Sequence, residues 1–342
     1  MSESLSEIFA QSARDEFHHT SPLYERLALG IAQDPTLLNL AAHCRKGERV
    51  PVLFLAGVHY LLLSGVKHSL GSFYKSIGGA FDGSSDPFNT FCSFCSEHAD
   101  QLRNLIASRR VQTNEVSRCA GLMPVFVEAA KHIEDRPFFV VDIGASAGLN
   151  LCWDHYGYKY GDNLTAGLTS SPVQIECEIR GNKMPILPES FPTVAGRVGV
   201  DVNPLKVSDA EDMLWLRALV WPEHEKRAKL LRNAIEVTRR QTLTILAGDG
   251  VEKLRDVMNL VPQDSVLCVM RVFTQISKES RQRWNEIVAQ YGATHDLMMI
   301  TGRPHSGDDT ELVLTSFVKG KRTEQGLAYM QNHGDWIEWL SR

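Results

Sequence analysis

Between Val140 and Asn150 the chain passes from an apolar run, Val140-Val141-Asp142-Ile143, to a string of small residues, Gly144-Ala145-Ser146-Ala147-Gly148. That change reads as strand, tight turn and helix start. Glycines at 144 and 148 allow the positive-φ backbone of a sharp turn and leave no side chain between backbone and ligand, while the helix after them offers unpaired N–H groups. A nucleotide-like ligand fits that geometry. Two chemistries use such a turn: a loop that holds a nucleotide cofactor, and a G-x-S-x-G elbow that presents Ser146 as a nucleophile. The remaining sequence has to distinguish them.

Several classes of function fall away on composition. The net charge is −5 and Lys and Arg are not gathered into runs, so the basic footprint of a nucleic-acid binder is missing. The stretch MSESLSEIFAQSARDEF lacks the basic-then-apolar pattern of a secretory leader, and the longest apolar run, Val52 to Val66, contains His59 and Tyr60 and is too short for a bilayer span. The expectation is a cytoplasmic protein with a buried helix and no membrane partner. Seven scattered cysteines read as reduced thiols in a chain of 342 residues. Cys92-x-x-Cys95-x-x-His98 has ligand-like spacing, but no second pair comes after it and Phe91 and Phe94 mark a packed helix face, so no metal is expected.

Residues 1–135 read as one helical domain, broken at Ser21-Pro22, Asp34-Pro35 and the Gly78–Pro87 loop. Its last helix is preceded by a polar cluster, Gln112-Thr113-Asn114-Glu115, in which Thr113 or Asn114 can cap the helix. Val116, Cys119, Ala120, Met123, Phe126, Val127 and Ala130 then form a core stripe, Glu115 and Arg118 share another face, and Pro124 kinks the helix. The cluster is either a cap with a surface ion pair or a polar wall facing a ligand.

Residues 136–342 alternate strands and helices. Val173, Ile175, Cys177 and Ile179 alternate with polar residues, which suggests an antiparallel insertion, a β-hairpin near 165–196. Strands ending at Asp201 and before Gly248-Asp249-Gly250 come next, then strands at 265–273 and 296–300, and a terminal antiparallel hairpin over 311–330. This βαβ alternation implies an α/β fold with a mostly parallel sheet. An acid at the end of the second strand, here Asp201, is placed to accept ribose hydroxyls, although the gap from Gly148 is more than twice the usual ~20 residues and requires the insertion.

The motifs DIGASAGLN, GVDVN and LAGDG, in order at three strand ends, resemble the cofactor motifs of class I S-adenosylmethionine-dependent methyltransferases, and the closing hairpin matches. More closely, RRVQTNEVSRC, DIGASAGLNL, DVNPL and WLRALVWPE resemble a bacterial family known as domain of unknown function 2332, over nearly the whole chain. The resemblance implies a Rossmann-like sheet beneath an N-terminal helical lid, with S-adenosylmethionine as methyl donor or as substrate. Asp142, Gly144, Ser146 and Gly148 then hold the methionine part, with help from Asn150 and Gln112; Asp201 takes the ribose and Asp249 the adenine. Ser146 stands where the methyltransferase pattern has glycine.

Two reactions at the sulfonium fit: methyl transfer to a small molecule, or cyclisation in which the cofactor's own amine attacks its side chain to give azetidine-2-carboxylate and methylthioadenosine. After the fourth strand, Arg271-Val272-Phe273-Thr274-Gln275 lacks an amine-methylating signature. For cyclisation, Asn114, Glu115 or Gln112 orients the amine, Arg118 pairs the carboxylate, and Tyr156 or Tyr158 faces the sulfonium by cation–π attraction. The competing hydrolase uses Ser146 with Asp249 and one of His295, His305 or His333, but lacks the strands that normally precede an elbow. A third alternative is a non-catalytic S-adenosylmethionine-binding protein.

Overall fold

The computed structural model describes residues 4–274, 276–307 and 309–341 and divides the chain into two compact units. One comprises residues up to Thr113 together with Asp209–Arg232, and the other Asn114–Ser208 with Asn233 onward.

The first unit is helical: α1 (Leu5–Ser12), α2 (Pro22–Ile31), α3 (Pro35–Ala41), α4 (Val50–Leu63), α5 (Phe88–Glu97) and α6 (Ala99–Ser108). Ser4, Ser21 and Asp34 accept N–H groups at the starts of α1, α2 and α3, and proline occupies the first turn of α2 and α3, which its fixed φ suits. Almost every residue of α4 from Pro51 to Leu62 is buried, so this helix is apolar all round because it lies inside the bundle. Its core joins Phe9, Phe17, Leu53, Phe54 and Phe91 to Trp215. Among the described residues no helix is long and apolar enough to cross a membrane.

The second unit opens with α7 (Cys119–Ala130) and continues through β1 (Phe138–Ile143), β2 (Gly157–Tyr160), β3 (Leu164–Gly167), β4 (Gln174–Arg180) and β5 (Val194–Asp201). After α8 (Ala210–Ala218), which lies in the first unit, and α9 (Glu225–Thr238), which belongs to that unit as far as Arg232, come β6 (Thr244–Ala247), α10 (Gly250–Met258), β7 (Val266–Arg271), α11 (Lys278–Gly292) and β8 (Leu297–Pro304). The chain ends in a meander, β9 (Asp309–Val318), β10 (Lys321–Gln331) and β11 (Trp336–Trp339).

The fold is α/β, with one mixed, mostly parallel sheet ordered β3-β2-β4-β11-β10-β9-β8-β7-β1-β5-β6. Within it, β6-β5-β1-β7-β8 are all parallel, and in chain order they read third, second, first, fourth, fifth, the doubly wound arrangement. Phe139, Val141 and Ile143 face α10 and α11 through Leu254, Val257, Trp284 and Ile287. On the opposite face Phe126 of α7 meets Phe138 of β1, with ring centroids 6.2 Å apart.

Four sequence expectations change. The boundary expected near residue 135 falls at 113, because the apolar stripe of α7 packs on the sheet; α8, expected among the sheet helices, joins the helical unit, where Trp215 Nε1 donates to Arg110 O at 2.8 Å. The insertion begins earlier than residue 165, since Gly157–Tyr160 is already a strand. The alternation along β4 is real, but β4 pairs parallel with both β2 and β11; alternation reports one buried face and says nothing about strand direction. Pro124 lies inside α7, and the carbonyl that this proline leaves without a donor, Ala120 O, accepts Tyr160 Oη at 2.6 Å.

Candidate functional site

In an open doubly wound sheet the chain reverses its direction of winding beside the first strand, and the loops there diverge and leave a crevice at the strands' carboxyl ends. Here that point lies between β1 and β7, so the residues after Ile143 and after Arg271 define the candidate site.

The backbone turns sharply through Gly144 (φ 88°), Ser146 (φ 54°) and Gly148 (φ 77°). Every N–H from 144 to 149 has an internal acceptor. Val200 O takes Gly144 and Ala145 at 2.8 and 3.3 Å, and Ala145 O takes Gly148 at 2.7 Å. Asp201 Oδ2 takes Ser146 at 2.8 Å, and Asn114 Oδ1 takes Ala147 and Leu149 at 3.3 and 3.1 Å. The free amides expected from the sequence are therefore already used, and the turn leads into a 3-10 helix, Leu149–His155, non-helical at Cys152. Gly144 also serves a neighbour: a Cβ there would stand 1.9 Å from Thr274 Oγ1, which donates to Ile143 O at 2.8 Å. At Gly148 a Cβ would press on Ile245 Cδ1 at 3.1 Å.

Charge gathers at the mouth of this turn. Asp142, half-buried on β1, has its carboxyl pushed up to about 7 by burial and by the charge of Asp201, against the opposing pull of Arg118. Asp201 is buried, and its second oxygen accepts Asn203 N at 2.8 Å, so it bends the chain as well as tying β5 to the glycine turn. The Arg118 guanidinium lies 3.8 Å from the Phe273 ring centroid and its Nε donates to Asn332 O at 2.7 Å. Asn332 is held in turn by Thr310 Oγ1 at 2.6 Å. Beside it, Nδ1 of the exposed His333 stands 3.6 Å from the buried Glu115 carboxylate. A Cβ at Gly334 would meet Ser117 O at 2.3 Å, so only glycine lets the β10–β11 turn close on residues 117–118.

The family model described as "Uncharacterized protein conserved in bacteria (DUF2332)" matches residues 6–339. The chain belongs to this family. No curated protein and no solved structure matches it.

Of the residues singled out in this family member, Asp142, Asp201, Arg118 and the 144–148 turn come together at the switch point. Asp249 caps α10, its Oδ1 accepting Val251 and Glu252 N at 2.8 and 3.1 Å; Gly250 sets that cap against β1, since a Cβ there would meet Ile143 Cγ2 at 2.3 Å. Asn114 and Glu115 adjoin the site in another way than expected: α7 starts at Cys119 with no side-chain cap, because Asn114 serves the glycine turn instead. Gln112 belongs to the helical unit.

Two expectations need correction, for the tyrosines and for the hydrolase triad. Tyr156 and Tyr158 are fully buried, with hydroxyls donating to Leu149 O at 2.7 Å and Trp153 O at 2.5 Å, so neither ring faces open space where a sulfonium can sit. Asn150 is buried against Cys119, whose Sγ is 3.5 Å from Asn150 Oδ1. The hydrolase triad is not assembled among the described residues. Ser146 Oγ is buried without a partner, Asp249 is occupied by its cap, His295 and His305 stack on Tyr291 and Tyr329, and His333 Nδ1 stands 3.6 Å from Glu115. Thr274, Phe273, Asn332 and His333 complete the wall. Phe273 and Thr274 stood out in the sequence as the end of the fourth strand and His333 as a candidate base, whereas Asn332 carried no signal; Gln275 lies outside the described residues.

Proposed function

We propose that this protein is a cytoplasmic, S-adenosylmethionine-dependent enzyme of the class I methyltransferase type, acting at the sulfonium centre. One observation carries the reading. A phosphate-bearing nucleotide needs free amides, and the 144–149 turn has none; the mouth instead offers three carboxylates, Asp142, Asp201 and Glu115, and one guanidinium. A ligand that is cationic, lacks phosphate and carries an amino-acid end matches that set.

In this reading Asp142 pairs the ammonium, Arg118 the carboxylate, and the floor of Gly144 and Ser146 lies beneath the methionine chain. Asp201 takes the ribose hydroxyls while holding the turn. Val202, 66% exposed directly after it, supplies an apolar face for the base, and Asp249 stands near the exocyclic amine. Bound S-adenosylmethionine supplies a carbon already joined to a leaving group, so the chain has to align a nucleophile and exclude water. The helical lid expected from the sequence belongs to this proposal. As the nucleophile bonds to that carbon, the C–S bond breaks and its electron pair stays on sulfur.

Incubation with S-adenosylmethionine alone, followed by mass analysis, separates the outcomes. Methylthioadenosine with azetidine-2-carboxylate indicates cyclisation, whereas S-adenosylhomocysteine formed only when a small-molecule acceptor is added indicates methyl transfer. Unchanged cofactor together with absence of binding would overturn the proposal.

A further inference from the structure

At the opposite, amino-terminal ends of the strands the sheet unit holds a second cleft of about 930 Å³, within the size range of small-molecule sites. Arg136 precedes β1, Ser265 precedes β7 and Asp296 precedes β8, so this cleft is separated from the glycine turn by the length of the strands. Its charge runs against that of the chain. Three cations, Arg136, Arg255 and Lys319, face one carboxylate, in a protein whose net charge is −5.

That carboxylate is already engaged. Asp296 pairs with Arg136, and its Oδ1 accepts Lys319 N at 2.7 Å. Lys319 Nζ reaches Glu134 at 3.3 Å in a pair exposed enough to be screened by water. Arg255 meets only a neutral amide, Gln290 Oε1 at 3.0 Å; among the described residues no carboxylate pairs with it. At the floor, Ser265 Oγ is buried with no hydrogen-bond partner, an arrangement that costs free energy unless something fills it. Met258 and Ile287 form an apolar side, and Tyr291, stacked on His295 at 4.4 Å, forms an aromatic one.

We propose that this cleft binds a small oxyanion carried on a flat apolar body, with Arg255 pairing the anion, Ser265 donating to it and Met258 and Ile287 packing on the body. The oxyanion is a carboxylate or a phosphate monoester, and both present the oxygens that a guanidinium and a hydroxyl recognise. The site is independent of any ligand at the carboxyl ends of the strands.

Calorimetric titration of the full chain with benzoate and, separately, with phenyl phosphate tests this and distinguishes the two anions. At least one is expected to saturate a single site. Arg255→Gln should weaken it about 10-fold, the scale of one lost charge-assisted hydrogen bond, and Ser265→Ala should weaken it less. Arg255 is exposed, so its variant should melt as the parent does. Asp142→Asn and Arg118→Gln, at the other end of the sheet, should leave the titration unchanged. Failure of both anions to saturate in the millimolar range, equal affinity in Arg255→Gln, or sensitivity to Asp142→Asn instead would each overturn the proposal.

Discussion

Asn114 Oδ1 accepts the backbone N–H of Leu149 at 3.1 Å, across 35 positions of sequence, and through the same oxygen it also receives Ala147 N. The glycine turn is therefore closed by a side chain from the segment preceding α7. Asn114→Ala should leave two buried donors without acceptors, at a cost of about 1–3 kcal/mol each. Urea unfolding of the variant measures it, and a loss below about 0.5 kcal/mol, the scatter of an ordinary surface substitution, would contradict the assigned role.

Ser146 holds φ at 54° with its hydroxyl buried and unpartnered. The left-handed backbone costs a non-glycine residue about 1–2 kcal/mol, partly offset in glycine by about 0.5–1 kcal/mol of unfolded-chain freedom. Ser146→Gly is accordingly expected to raise thermal stability slightly and to keep S-adenosylmethionine affinity. A large loss of either would show that the hydroxyl has a partner in the working protein.

The carboxyl of Asp142 titrates near 7 in the folded chain, well above its ordinary value of 3.8, because burial and the charge of Asp201 disfavour the anion while Arg118 favours it. Its protonated form thus stabilises the fold: the contribution is complete below about pH 4 and is lost as pH rises to about 7. Asp142→Asn should flatten that part of the stability profile. Pairing a ligand ammonium needs the ionised form, so S-adenosylmethionine affinity should rise with pH through neutrality in the parent and stay level in Asp142→Asn.

Tyr156 and Tyr158 act as internal pins, each hydroxyl bonded to a carbonyl of the 149–153 segment. Tyr156→Phe and Tyr158→Phe should each cost about 1 kcal/mol in chemical denaturation. Cofactor affinity should not change. A weakened affinity in a variant of parental stability would restore the sulfonium-facing role.

The parallel half of the sheet was legible in the sequence because fully buried strands read as short apolar runs ending in acids, as at Asp201, or in a Gly-Asp-Gly turn before Asp249's helix. Less visible were elements defined by distant partners. β11 is four residues long and exists through its pairing with β4 and β10, while β2, which carries Tyr158, is equally short and is held by β3 and β4. The same holds for the site. Residue types at 142, 201 and 118 declared their chemistry, but nothing local showed that Asn114 would silence the amides of the turn, or that His333 would come beside Glu115.

Whether the crevice accepts a phosphate-free, cationic nucleoside is decided by calorimetric titration with S-adenosylmethionine, run beside ATP at a pH above the Asp142 titration. One saturable site is expected for S-adenosylmethionine, weakened about 10-fold or more by Asp142→Asn and by Arg118→Gln, with no saturation by ATP. Saturable binding of ATP with no heat from S-adenosylmethionine would contradict it.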